Sequence, residues 1–394
     1  MLIMNPSASG WIKKLLNEIS TAPVWNHTNH DTFYDSLRES GFIYGSNIKI
    51  VKEHLDYSGM TEEEICKVNF LLALKYIFQE NNTDDTDFIE SIINFYIEIN
   101  AYSTSIFSEI LGEKKSASLL EKIIHKRIQI DDNLIDRSFN YFITNALLFT
   151  DILAYKAFLQ TKKISEKHIQ HLESAIESIV REVLNSKNKK TEYDKSLLKL
   201  VDQSIRYKSH KTLNFQEALE IINTDLEKYY IMDIASMATW GDLNIDKNEK
   251  TLLLKLGKKL ELEQDRINNS IHFIETFYNN NKDKIALLSS QNIVKTFYSN
   301  SSKMVSKLIS RNSKRLQLEI LESKELMVLL TKSTVRDLTD DEQKKVQAQL
   351  LDIFKSIPSL AIFMLPGGAL LLPLVIKFIP KLLPSSFDDN RIEE

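Results

Sequence analysis

The sequence predicts an all-α protein built as a multi-helix array. Three observations carry this. Only nine Gly and seven Pro occur in 394 residues, far fewer than the tight turns of a β-rich or Rossmann-like chain require. Apolar residues recur at threes and fours, and alternating strand patterns are rare. Residue pairs with capping-box spacing recur along the chain: Thr61 with Glu64, Asn214 with Glu217, Asp246 with Glu249 and Thr339 with Glu342.

In chain order, Phe70-Leu71-Leu72-Ala73-Leu74 and Ala146-Leu147-Leu148-Phe149 are apolar on every side. They are too short to span a bilayer and are expected as central core helices. Ile169, Leu172, Ile176, Ile179, Val180 and Val183 form one face of an amphipathic helix. Asp233 to Trp240 reads as the end of a helix, and another runs from about Asp246 through Lys258. Polar breaks are expected at Asn81 to Asp85, Asn185 to Lys190, Tyr278 to Lys284 and Ser299 to Lys303. Four regions follow: 1–139, a helical region; 140–275, a second helical domain; 276–335, connecting helices; and 336–394, an apolar C-terminal segment.

Composition excludes several classes. A charged fraction of 26% and an apolar fraction of 43% are globular values. A net charge of −4 argues against a strongly cationic nucleic-acid binder, and no nucleic-acid sequence recognition is expected. The single cysteine, Cys66, excludes a disulfide scaffold, and its apolar surroundings predict a core thiol. His27 with His30, and His168 with His171, have one-turn spacing but lack a third zinc ligand. The second pair is expected on a solvated face beside Lys167 and Glu173. The chain has no Gly-rich phosphate loop, no Gly-x-Ser-x-Gly and no His-Glu-x-x-His. No enzymatic activity is expected, and no cofactor.

Asp242, Asp246 and Glu249 are the one candidate metal site. Asp242-x-Asn244-x-Asp246 opens like a calcium loop, but Lys247 and Leu253 stand where an EF-hand needs Gly and Glu. The other reading of the same residues is a helix cap at Asp246 completed by Glu249. This helix pair resembles the TerB-like (tellurite-resistance) family. There an acidic residue precedes an Ile or Val by three and a Glu follows four later, as Asp242, Ile245 and Glu249 do here. Leu243 replaces the usual Gly. Ile164-Ser165-Glu166-Lys167-His168 echoes the motif, with Thr161 and His168 at the acidic positions.

No charge occurs from Ser356 to Ile376. As a straight helix the run would be about 32 Å long, close to a hydrocarbon core of about 30 Å. Lys355, Lys377 and Lys381 flank it. Pro358, Pro366, Gly367, Gly368 and Pro373 interrupt it, so a lone straight helix is disfavoured. A kinked span, a re-entrant hairpin at Pro366-Gly367-Gly368 and a hairpin buried within the protein are the three readings.

From Leu338-Thr339-Asp340-Asp341-Glu342 the chain leads to Leu371-Leu372-Pro373, then Lys377-Phe378-Ile379-Pro380 and Leu383-Pro384-Ser385-Ser386-Phe387. This resembles the membrane segment of the leucine-zipper, EF-hand-containing transmembrane (Letm) family, with Ser386 in place of a Thr. Together with the TerB-like region, it resembles bacterial proteins labelled Letm-related biofilm-associated. The uncharged run is expected to associate with membrane lipid, and the N-terminus, without a secretory signal, is expected to keep the helical body at the cytoplasmic face of the inner (plasma) membrane; the resemblance implies a role in biofilm or envelope physiology. It further implies cation (K+ or Ca2+)/proton exchange or ribosome binding as activities. A homo-oligomer, with a pore lined by backbone carbonyls freed at Pro366 and Pro373, is a candidate assembly. The resemblance places the ribosome-binding domain after the apolar segment, so most of that domain is expected to be missing. No ionisable residue lies within 356–376, which argues against autonomous transport by one copy.

Overall fold

The computed structural model describes residues 4–21, 29–51, 55–81, 87–100, 115–128, 146–164, 166–187, 213–239, 245–281, 305–336, 338–357, 360 and 375. All regular structure among them is helical, without a β-strand. Two compact units result.

The first unit begins with α1 (Trp11–Thr21) and α2 (His30–Glu39). Trp11, Ile12 and Leu15 bury one face of α1. Its first turn has no local acidic cap. Glu121 supplies one from a distance, accepting from the Gly10 and Ile12 amides at 3.0 and 3.1 Å, so the helix start depends on tertiary folding. Asn29 caps α2 by accepting from the Thr32 amide at 2.9 Å. A 3-10 turn, Phe42–Tyr44, follows between two glycines in the left-handed region. Gly41 has φ +81, and a Cβ there would meet the Ser46 carbonyl oxygen at 1.8 Å. Only glycine fits.

The central helix is α3 (Glu62–Asn81), buried on nearly every side from Glu64 to Phe78. Around it pack α4 (Phe88–Asn100), α5 (Ala117–Ile128) and α6 (Leu148–Thr161). The runs at Phe70–Leu74 and Ala146–Phe149 are therefore core, as their composition predicts. Glu64 accepts a hydrogen bond from the Ser7 hydroxyl at 2.6 Å.

The unit continues with α7 (Glu166–Asn185), α8 (Phe215–Ile221), α9 (Asp225–Thr239), α10 (Lys247–Lys259) and α11 (Gln264–Asn281). On α7, Leu172, Ile176, Ile179, Val180 and Val183 are buried at the predicted period. Glu173 departs from expectation: it is buried rather than solvated. Three helices, α6, α8 and α9, cover α7 and narrow its solvent face. The break expected from Tyr278 starts later, since α11 runs on to Asn281. Tyr278 is buried, with its ring 6.3 Å from that of Tyr44 and 5.6 Å from that of Phe277. Aromatic packing holds this polar stretch in the helix. The described residues between 4 and 281, apart from 58–61, belong to the first unit.

The second unit comprises 58–61, a helical stretch at 305–311, and α12 (Ser313–Glu322), α13 (Lys324–Val335) and α14 (Asp340–Ser356). Leu316, Ile320, Leu326, Leu330, Val346, Leu350 and Phe354 build its core. Capping boxes form at Asn214, Asp246 and Thr339, three of the predicted starts.

Candidate functional site

The first candidate region is the α9–α10 junction. Asp246 Oδ1 accepts from the Asn248 and Glu249 amides at 2.7 and 2.9 Å. Glu249 Oε2 accepts from the Asp246 amide at 2.7 Å, completing the box. The same carboxylate is buried and faces a cation: Lys187 Nζ lies 3.3 Å from Glu249 Oε1 and donates to the Thr239 carbonyl at 3.0 Å. Lys187 is equally buried. An ammonium from the end of α7 therefore ties the last residue of α9 to the first turn of α10. Asp242 lies outside the described residues. Among the described residues, no three His, Cys, Asp or Glu side chains group to hold a metal.

The cap and the lysine together predict metal-independent stability. Millimolar calcium is expected to leave the melting temperature of the chain unchanged. Lys187→Met is expected to destabilise it by about 2 kcal/mol, through the loss of the cation beside buried Glu249. Calorimetry with and without calcium checks both; a calcium-dependent rise would restore the metal reading.

Two buried carboxylates escaped sequence reasoning. Asp233 on α9 is fully buried. Arg38 Nε lies 2.9 Å from its Oδ2, and Tyr34 and Tyr44 hydroxyls donate to it at 2.8 and 3.3 Å. Arg38 also donates to Asn269 at 2.7 Å and stacks over Phe273 at 4.2 Å. Burial and the adjacent carboxylate hold both tyrosines well above the ordinary phenol range. Asp151 on α6 repeats the pattern: Arg127 of α5 pairs with both its oxygens, and the Tyr96 hydroxyl of α4 donates at 3.0 Å. In sequence each is one Asp within an apolar helix, Thr150-Asp151-Ile152 and Met232-Asp233-Ile234, and its partners lie on other helices. Such a carboxylate needs a buried partner, which is the signal that was available. Saturated by donors, both act as cross-helix pins.

His30 is described; His27, its sequence partner, lies outside the described residues. The His30 ring lies edge-on to Tyr76 at 6.2 Å. Burial, with Lys156 of α6 adding to it, lowers its pKa below 6.5, although Glu80, Asp31 and Asp225 oppose the shift. The unfolded chain therefore takes up this proton first as pH falls. The His30 contribution to stability is present above pH 6.5 and is lost as pH falls toward the folded-state value. Urea unfolding at pH 7.5 and 5 is expected to show a decrease that His30→Gln reduces. Cys66 is buried, as expected.

The second candidate region is the C-terminal unit. Thr339 Oγ1 and the Glu342 side chain form the capping box of α14. Glu342 also receives both Arg336 Nη atoms at 2.8 Å and Lys332 Nζ at 3.2 Å. These donors hold its pKa well below the usual carboxylate range. At the other end, Arg315 donates to the Ser356 carbonyl at 2.6 Å and Glu319 accepts from the Ser356 hydroxyl at 3.2 Å. Both ends of α14 are thus fixed to the unit.

The chain then enters the uncharged run. Pro358, Pro366, Gly367, Gly368, Pro373, Lys377, Pro380 and Pro384 all lie outside the described residues. Beyond Ser356, three positions of the run are described, and all are buried in the same cluster: Ile357, Leu360 and Val375 share the core of Leu316, Ile320, Val346 and Phe354. Among the described residues no helix is long and apolar enough to cross a membrane.

Comparison with known proteins returned one family: residues 338–394 match the model described as LETM1-like, RBD. No curated protein and no solved structure matches the chain. The chain is Letm-like over this segment. The match starts one residue before the α14 cap and includes the uncharged run. The element expected to follow the apolar segment is therefore the one whose model the segment itself matches.

Proposed function

We propose that this chain is a non-enzymatic, Letm-like docking protein that binds ribosomes through its C-terminal unit. The observation that carries the reading is the LETM1-like, RBD match on residues 338–394. The helices beneath it suit a docking role. Glu342 and Ser356 fix α14 at its two ends, and a rigid element presents contacts at little entropic cost. Lys314 and Lys324 are exposed without a paired acid among the described residues, while exposed Lys344, Lys345 and Lys355 of α14 lie beside Asp341, Glu325 and Asp352. Cations so placed favour encounter with a phosphate-rich surface. The saturated state of Asp233 and Asp151 fits a chain without catalytic machinery.

Sedimentation through a sucrose cushion tests the reading. The full chain is expected to pellet with ribosomes at moderate salt, and a chain ending at Arg336 to stay in the supernatant. Equal pelleting of both would remove the C-terminal unit from the interaction.

A second reading, membrane association, draws on the uncharged run from Ser356 to Ile376. It places the chain at the cytoplasmic face of the inner membrane, with lipid as a further partner. Burial of Leu360 and Val375 in one cluster favours a run that returns to its own unit over a straight span. Carbonate extraction separates the two: a returning run is released, an integral one is retained. The TerB-like reading of 140–275 and a place in biofilm or envelope physiology belong to this proposal; the helix–cap–helix arrangement at Asp246 supports the former.

A further inference from the structure

The first unit carries a cationic face on α10, outside its cap at Asp246 and Glu249. Helix α10 buries Glu249, Leu253, Leu256 and Gly257 against its neighbours α9 and α11. Gly257 permits this close approach, since a Cβ there would meet Ile267 at 2.4 Å. The opposite side of α10 exposes Lys247, Lys250, Lys255 and Lys258. At 100° per residue these four fall within one arc of about 140°, along about 16 Å of helix. The one acid of α10 is Glu249, which is buried beside Lys187 and offsets none of them. Among the described residues none of the four has an ion-pair partner. Single-sign charge on one face of a chain with net charge −4 is a local feature that the total conceals.

We infer that this face binds the phosphate backbone of RNA. This deepens the ribosome reading by assigning the first unit a contact of its own, and it rests on that reading for the choice of polyanion. Charge complementarity supplies the attraction: each lysine replaces a condensed counterion at a phosphate. Lysine is a compact point charge without the planar fork that reads base edges, so the contact is independent of sequence. A lipid surface is the less suited occupant. Interfacial helices place Trp, Phe or Leu on the side that enters the headgroups. The exposed arc of α10 has no aromatic residue, and its leucines are buried or half-buried.

The test uses the full chain with Lys247, Lys250, Lys255 and Lys258 all changed to Gln. All four are exposed, so the melting temperature should be unaffected. Anisotropy of a fluorescent single-stranded RNA is read across a salt series. The wild type is expected to bind with a log–log salt slope steeper than the variant's by about 3, and tenfold or more tighter at low salt. Equal slopes and affinities, or no RNA binding by the wild type, would overturn the inference. So would loss of binding to anionic vesicles with RNA binding unchanged, which would assign the face to lipid. The ribosome reading is judged separately: it fails if the full chain does not pellet, whatever the RNA slopes show.

Discussion

Replacing Asp233 with Ala is expected to destabilise the first unit by about 3–5 kcal/mol. The size follows from what is left behind. Arg38 is 1% exposed and would lose the buried carboxylate at its Nε, keeping only that of the partly exposed Asp35 at 3.0 Å from its Nη1. The Tyr34 and Tyr44 hydroxyls would each lose an acceptor in a dry site. Breaking a buried pair is far more damaging than removing it whole. The double change Asp233→Leu with Arg38→Met should therefore lose much less than the single one. Chemical denaturation of the three proteins checks this. A double mutant as unstable as the single would mean that shape, not the loss of the buried carboxylate beside Arg38, sets the destabilisation.

The second large effect belongs to the uncharged run. Val375→Asp, and separately Leu360→Asp, are each expected to destabilise the second unit by about 4 kcal/mol. Either carboxylate would enter an apolar cluster with Leu316, Ile320 and Phe354. The first unit has its own core and should melt as before. Calorimetry should then lose or lower one transition and retain the other. An unchanged pair of transitions would place both side chains outside the core.

These two effects mark what the sequence could and could not reveal. Periodicity exposed the helices because one face of each is apolar; the buried stripe of α7 is an example. Three capping boxes were legible because their partners lie within one turn. The pins at Asp233 and Asp151 were not, because Arg38 and Arg127 come from other helices and their chain separation carries no pattern. The same limit hid Lys187 beside Glu249. The cap at the α1 start was likewise invisible, since Glu121 acts from α5. The apolar run was conspicuous, but hydropathy does not distinguish lipid from a protein core. Ile357, Leu360 and Val375 are buried in the core of the second unit.

Burial of Leu360 and Val375 in the core of the second unit is the observation that separates a returning run from a straight span. Thiol accessibility tests it directly. In a Cys66→Ser background, single cysteines are placed at Leu360 and at Val375. The native chain, on membranes and after extraction, is treated with a water-soluble maleimide and then again in denaturant. Both cysteines are expected to be protected in the native chain under both conditions and fully labelled only on unfolding. Rapid native labelling of either one, or protection that vanishes when membranes are removed, would contradict the account.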